Sequence, residues 1–235
     1  MRMGIIGAME SEVQNLIARM EGVTYHEKAG RRFAVGTLAG KEVVVVQSGI
    51  GKVAAAITAQ MLIDGFGVDA LLNTGMAGGL DSRLAVKDLV IATAALQHDF
   101  DISAFGHARG FMYGDDDTKP TLFVADEVLC AKAREAAARV LPAGSKAIDG
   151  IVASGDIFVD DSALKAQLRD GFGAAAAEME GAAIAQTAVA NGVPFVIIRT
   201  ISDLAEHQAN VSFDELEKYV GILAGDITVA LLASL

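Results

Sequence analysis

Four carboxylates and one arginine occupy positions where an α/β enzyme could use them. Glu12 directly follows a short apolar run. Glu178 and Glu180 flank Met179 and open a helix of small residues, which Gly192 and Pro194 close. The β-branched run that follows carries Arg199 inside and Ser202-Asp203 at its end. In a regular strand Phe195, Ile197, Arg199, Ile201 and Asp203 share one side. Charges on an otherwise apolar face are costly unless each finds a partner. Open α/β sheets place ligand sites just beyond the carboxyl ends of their strands, where Asp203 falls. The chemical reading is a catalytic acid at Asp203, with Glu178 or Glu180 holding substrate hydroxyls. Separated carboxylates in different environments, such as Glu12 and the others, can divide general acid and general base work between them. The structural alternative is an Arg199–Asp203 pair, with Glu12, Glu178 and Glu180 favoured by helix N-termini.

Other constellations are weaker. The glycine turn at 75–79 lacks the G-x-G-x-x-G order and no G-x-x-x-x-G-K-[ST] occurs, so dinucleotide and P-loop chemistry find no support. Small residues there let backbone approach a ligand closely. Gln47-Ser48-Gly49 fails as a nucleophile elbow. His98, Asp99, Asp101 and His107 have ligand chemistry but no rigid spacing, and solvated loop residues are the simpler reading. Phe158, in a turn, is either a core plug or a stacking surface for a planar ring. Carboxylates, an aromatic plate and close backbone without a phosphate cradle suit a neutral, hydroxylated, ring-bearing molecule such as a nucleoside.

These side chains must be positioned by a large core. Of 235 residues 52% are apolar and 21% charged, which suits one domain over 1–235 with no linker. A formal charge of −11 with no basic cluster argues against nucleic acid or an anionic membrane as partner. The single Cys130 leaves neither a disulfide nor a thiolate zinc site. No apolar run reaches membrane-spanning length, and Glu10 and Glu12 are wrong for a signal peptide, so a cytoplasmic location is expected.

Met3–Ala8 reads as a buried strand, with Ser11 capping the helix after it. Strand patterns at Arg32–Leu38 and Glu42–Gln47 meet across Ala39-Gly40, and Lys52 to Gly65 is helical. Strands are expected at Asp69–Thr74, Asp88–Ala94 and Ala147–Ala153, and helices at Asp126–Leu141, Ser162–Arg169 and Ser212–Leu235. Ser212 and Glu215 would form a capping box in the last of these. Residues 97–121 form a long polar and aromatic loop of the kind that is functional or covered by a partner chain. Strands alternating with helices imply α/β architecture around a mixed sheet covered on both faces.

Six blocks then resemble one family: Gly4-Ile-Ile-Gly-Ala-Met9-Glu-Ser-Glu12, Ser48 to Ala56, Asn73 to Leu80, Ser154-Gly-Asp-Ile-Phe158, Glu178-Met-Glu180 and Ser202-Asp203. Together they look like the 5′-methylthioadenosine/S-adenosylhomocysteine nucleosidases of the nucleoside phosphorylase superfamily. The resemblance implies a three-layer αβα sandwich with a central mixed twisted sheet, a homodimer, and no metal or organic cofactor. It implies hydrolysis of the N-glycosidic bond to adenine and a 5-thioribose derivative, in methionine salvage. Glu12 would activate water and Asp203 would protonate adenine N7. Met179, Glu180 and the backbone near Gly78 would meet the ribose. Phe158 would stack on the purine, and Val159 backbone would read its edge beside Ser202. Arg199 would orient the Glu12 region. Met9, Ile50 and Phe213 would line the 5′-thio pocket, and Phe105 would reach the neighbouring subunit's site. Met76 stands where the family typically carries serine, and Tyr113 with Asp115–Asp117 alters the segment closing the 5′ pocket. Rival readings are an aminodeoxyfutalosine nucleosidase and a purine nucleoside phosphorylase.

Overall fold

In a computed structural model the chain forms ten strands and six α-helices among the described residues, which are 1–203 and 213–235, without the side chains of Asp203, Phe213 and Asp214. In chain order they are β1 (Arg2–Gly7), α1 (Glu10–Ile17), β2 (Glu21–Lys28), β3 (Arg31–Leu38), β4 (Lys41–Gln47), α2 (Lys52–Phe66), β5 (Ala70–Gly79) and β6 (Leu89–Gln97). There follow β7 (Phe123–Val124), α3 (Glu127–Val140), β8 (Ala147–Ser154), α4 (Ser162–Phe172), β9 (Ala174–Glu178), α5 (Gly181–Ala190), β10 (Phe195–Asp203) and α6 (Phe213–Ala233). The Ser212–Glu215 capping box lies outside the described residues.

One mixed sheet runs in the order β10-β6-β8-β9-β5-β1-β4-β3-β2. β1 pairs in parallel with both β4 and β5, with Ile5 opposite Val45 and Leu72. Strands covered on both faces read as unbroken apolar runs, and Val43–Val46 are all fully buried. Helices α1 and α3 each pack on α6 as one outer layer, and α2 packs on α5 as the other. The architecture is the expected αβα sandwich. No helix among the described residues is long and apolar enough to cross a membrane.

The sheet departs from an open one in a single respect. β10 pairs in parallel with β5 and antiparallel with β6, so β5, β9, β8, β6 and β10 close into a ring. Closure brings strand ends from distant parts of the chain together. It also turns the expected glycine turn at 75–79 into strand, because Arg199, Thr200 and Ile201 pair with Gly75, Met76 and Ala77. The register then shifts between Ile201 and Asp203, which ends opposite Gly78.

Small side chains permit the ring. β9 is Ala174–Ala177 before Glu178, every residue buried, although alanine favours helices in isolation. A Cβ on Gly150 of β8 would collide with the Ala175 methyl across the β8–β9 seam. Overpacking of a close seam costs about 1–3 kcal/mol. Gly150→Val is accordingly expected to lower unfolding free energy by that amount in urea titration, with no change in the denaturant slope.

Candidate active site

The carboxyl ends of β1, β5, β8, β9 and β10 surround a cavity of about 220 Å³. Its walls include Met9, Glu12, Ile50, Gly78, Phe158 and Val159. Met179, Glu180, Arg199 and Ser202 complete the expected set that lines it. The sequence reading omitted Ala8, Ala77, Ile157 and Ala177, small or apolar residues with no chemical signature of their own.

Glu12 reaches the cavity because β1 ends at Gly7, where a Cβ would strike Glu12 Cβ and Val13. The chain turns sharply there into α1, whose N-cap is Met9 and not Ser11. The Glu12 carboxylate folds back over that turn: Oε2 accepts from the backbone N–H of Ala8 (2.7 Å) and Met9 (3.0 Å), and Oε1 from Met76 (3.0 Å). Helix N-terminal amides favour a carboxylate in this position. Burial nevertheless raises its pKa above the ordinary 4.5, against the lowering effect of Arg199 and of the three backbone donors.

Glu178 is the last residue of β9 rather than the first of a helix. Its oxygens accept from Gly181 N–H (3.0 and 2.8 Å), Glu180 N–H (3.1 Å) and the Ser154 hydroxyl. Ser154 Oγ in turn accepts from Ala182 N–H at 2.7 Å. Two strand ends thus satisfy the orphan amides of α5. Arg199 donates to Glu178, to Asn73 Oδ1 (2.6 Å) and more weakly to Glu180 Oε2 (3.5 Å).

Arg199, expected to orient the Glu12 region, has no hydrogen bond to Glu12 itself among those of the described residues. It acts through the Met76 peptide, whose carbonyl accepts from Nη1 (3.3 Å) while its N–H holds Glu12. Asn73, absent from the expected set, anchors the arginine to β1 by donating to Ile6 carbonyl at 3.0 Å. Glu180 accepts from Gly51 N–H (3.1 Å) at the start of α2. Burial and the Glu178 charge push its pKa up to about 7, against the pull of Arg199.

Two residues expected in this cavity are not seen there; Phe105 is expected at a neighbouring subunit's cavity instead. Asp203 ends β10 opposite Gly78, but its side chain lies outside the described residues, as does that of Phe213. Phe105 is 80% exposed on the short turn Ser103–Phe105 and does not line this cavity. The metal alternative comes apart: His98 is buried, Asp99 pairs with Lys52 (2.6 Å), and His107 pairs with Asp117 (3.1 Å). Among the described residues no cluster is placed to hold a metal ion.

Comparisons with known proteins agree with this geometry. A family model described as the phosphorylase superfamily matches residues 2–234. A 5′-methylthioadenosine/S-adenosylhomocysteine nucleosidase of Shewanella halifaxensis is 42% identical over the whole of both chains. The crystal structure of such a nucleosidase from Colwellia psychrerythraea in complex with adenine superposes with a TM-score of 0.90. It is 39% identical, covering 100% of this chain and 96% of that one. A futalosine hydrolase of Helicobacter pylori gives a TM-score of 0.89 at 34% identity, covering 100% and 98%.

Two outcomes follow from the packing and the charges. A Cβ on Gly75 would stand on both Glu12 Oε1 and Arg199 Nη1. Misplacing a reacting group by an ångström costs on the order of 10²-fold. Gly75→Ala is expected to lower kcat/KM by about that factor in a steady-state assay while the protein stays folded. Glu180 binds its proton more tightly folded than unfolded, since its pKa is about 7 against an ordinary 4.5. Its contribution to stability is therefore fully present below about pH 4.5 and lost as pH rises through 7. Glu180→Gln, which keeps the acceptor for Gly51, is expected to melt above the parent at pH 8, by at most about 3 kcal/mol, and alongside it at pH 5.

Proposed function

The chain belongs to the phosphorylase superfamily, among its 5′-methylthioadenosine/S-adenosylhomocysteine nucleosidases, and we propose that Glu12 and Asp203 divide the catalytic proton transfers between them. The reaction is hydrolysis of the N-glycosidic bond, releasing adenine and the 5-thioribose derivative. In the proposed mechanism Asp203 delivers a proton to adenine N7, which makes the purine a better leaving group as the N9–C1′ bond breaks and the ribose becomes oxocarbenium-like. Glu12 removes a proton from water as its oxygen bonds to C1′. Glu12 is left protonated and Asp203 ionised, and exchange with solvent resets both. Burial makes Glu12 a stronger base than a surface carboxylate, which favours its taking a proton from water.

Glu180 would accept hydrogen bonds from the ribose hydroxyls beside Met179 and the Gly78 backbone. Phe158 would stack on the purine, and the Val159 backbone would read its edge beside Ser202. Met9 and Ile50 would meet the 5′ substituent, with Phe213. The observation that carries the reading is the buried Glu12 carboxylate, gripped by three backbone amides at the edge of the cavity. Water, not phosphate, is the nucleophile because Arg199 is the only cation among the described residues lining the cavity, and Glu178 already neutralises it.

The proposal extends to one domain over residues 1–235 and a cytoplasmic homodimer. Exposed Ile50, Val53, Ile57, Phe105 and Ile157 would be covered by the second subunit, with Phe105 turned toward that subunit's cavity.

Adenine release is to be followed spectroscopically from methylthioadenosine, adenosylhomocysteine and aminodeoxyfutalosine, with and without phosphate. Turnover of the first two without phosphate is expected; efficient turnover of the futalosine derivative alone would transfer the chain to that activity. Glu12→Gln should lose roughly 10²–10⁴ in kcat with an unchanged circular dichroism spectrum, and full activity would remove the base from Glu12.

A further inference from the structure

The Phe158 ring is 71% exposed and, among the described residues, stacks on no other aromatic. Such a ring cannot hold itself in place; its position is set by the backbone just before it. That backbone is fixed by residues outside the cavity lining.

Asp99 lies two residues beyond the end of β6, Lys52 opens α2, and Asp156 lies two residues beyond β8. Asp99 Oδ1 accepts from Lys52 Nζ at 2.6 Å, and Oδ2 accepts from Asp156 N–H at 2.9 Å. Asp156 Oδ1 returns the connection by accepting from Lys52 N–H at 2.8 Å. Lys52 Nζ also donates to Gln97 Oε1 at 2.9 Å. The Lys52–Asp99 pair is sheltered, with side-chain exposures of 17% and 15%. A sheltered pair with both carboxylate oxygens used differs from a screened surface pair, which contributes little. The neighbouring Gly51 N–H holds Glu180. One helix start therefore ties the aromatic plate to the carboxylate facing the ribose.

We propose that Asp99 is a positioning residue for the purine base: joined to Lys52 and to the Asp156 backbone, it fixes the 155–159 loop and so sets where the Phe158 ring stands. This rests on the nucleosidase reading of the cavity. Burial opposes the ionised form of Asp99, but Lys52 and the Asp156 N–H outweigh it and hold its pKa below the ordinary value. The clamp therefore persists through the neutral range. An amide at position 99 would turn a donor toward Lys52 Nζ or toward Asp156 N–H, and one arm of the clamp would open.

The test is a double-mutant cycle on kinetics. Asp99→Asn is expected to raise KM for methylthioadenosine about tenfold and the inhibition constant of free adenine by the same factor, with kcat changed less than about twofold. In a Phe158→Leu background Asp99→Asn should add less than twofold to KM, because the ring it positions is gone. A tenfold further rise in that background, or an unchanged KM in the single variant, overturns the proposal. A loss confined to kcat overturns it as well. Should Asp99→Asn fail to fold, Lys52→Met, which takes the donor from Asp99 Oδ1, decides the matter: the same rise in KM supports the clamp and parental kinetics refute it. Failure of the parent enzyme to release adenine from any nucleoside would instead strike the underlying reading.

Discussion

Three buried carboxylates share one buried arginine, and the rest of the site depends on how that charge is divided. Glu12, Glu178 and Glu180 are each less than a tenth exposed, and Arg199 is fully enclosed. Their ionised forms cannot all be neutralised by one guanidinium. Local donors decide the division: Glu178 collects amides from the start of α5, the Ser154 hydroxyl and Arg199 itself. It holds the largest share of the donors. Glu180 and Glu12 keep fewer stabilising partners, and burial lifts both above the ordinary carboxylate value, Glu180 to about 7.

This division is a consequence of the closed sheet. Arg199 sits in the middle of β10, an interior position that would be expensive for a guanidinium beneath a flat apolar sheet. Pairing of β10 with both β5 and β6 brings Asn73 and the Met76 carbonyl to it from one neighbour, while β9 delivers Glu178 from across the ring. The alanines of β9 and Gly75 of β5 contribute by being small, since larger side chains would hold the charged groups apart.

Much of this arrangement was legible in residue types, and what escaped did so for physical reasons. Glu12 after an apolar strand, Arg199 within a β-branched run and Phe158 in a turn all carry local signals, and all line the cavity. β2 went unseen because Glu21–Lys28 is an exposed edge strand, with charges where an alternating apolar pattern would have announced it. β9 went unseen because its four alanines carry no strand signal and favour helix in isolation, and only burial between β8 and β5 makes them a strand. The glycines at 75–79 look like a turn until β10 pairs with them. Asn73 and Ser154, both fully buried, give no sign in isolation; each matters only as the acceptor or donor that completes a charged neighbour.

The same neutralisation separates water from phosphate as the attacking group. A phosphate dianion approaching C1′ would meet Glu12 and find the cavity's one cation among the described residues already bonded to Glu178. Freeing that arginine would require Glu178 to give up a charge-assisted bond inside the protein, where an unpaired ion costs several kcal/mol. A neutral water faces no such barrier, and in the proposed mechanism it would gain from Glu12 as its base. In the proposed mechanism the choice of water over phosphate would follow from where one arginine places its charge, with no change in the shape of the fold.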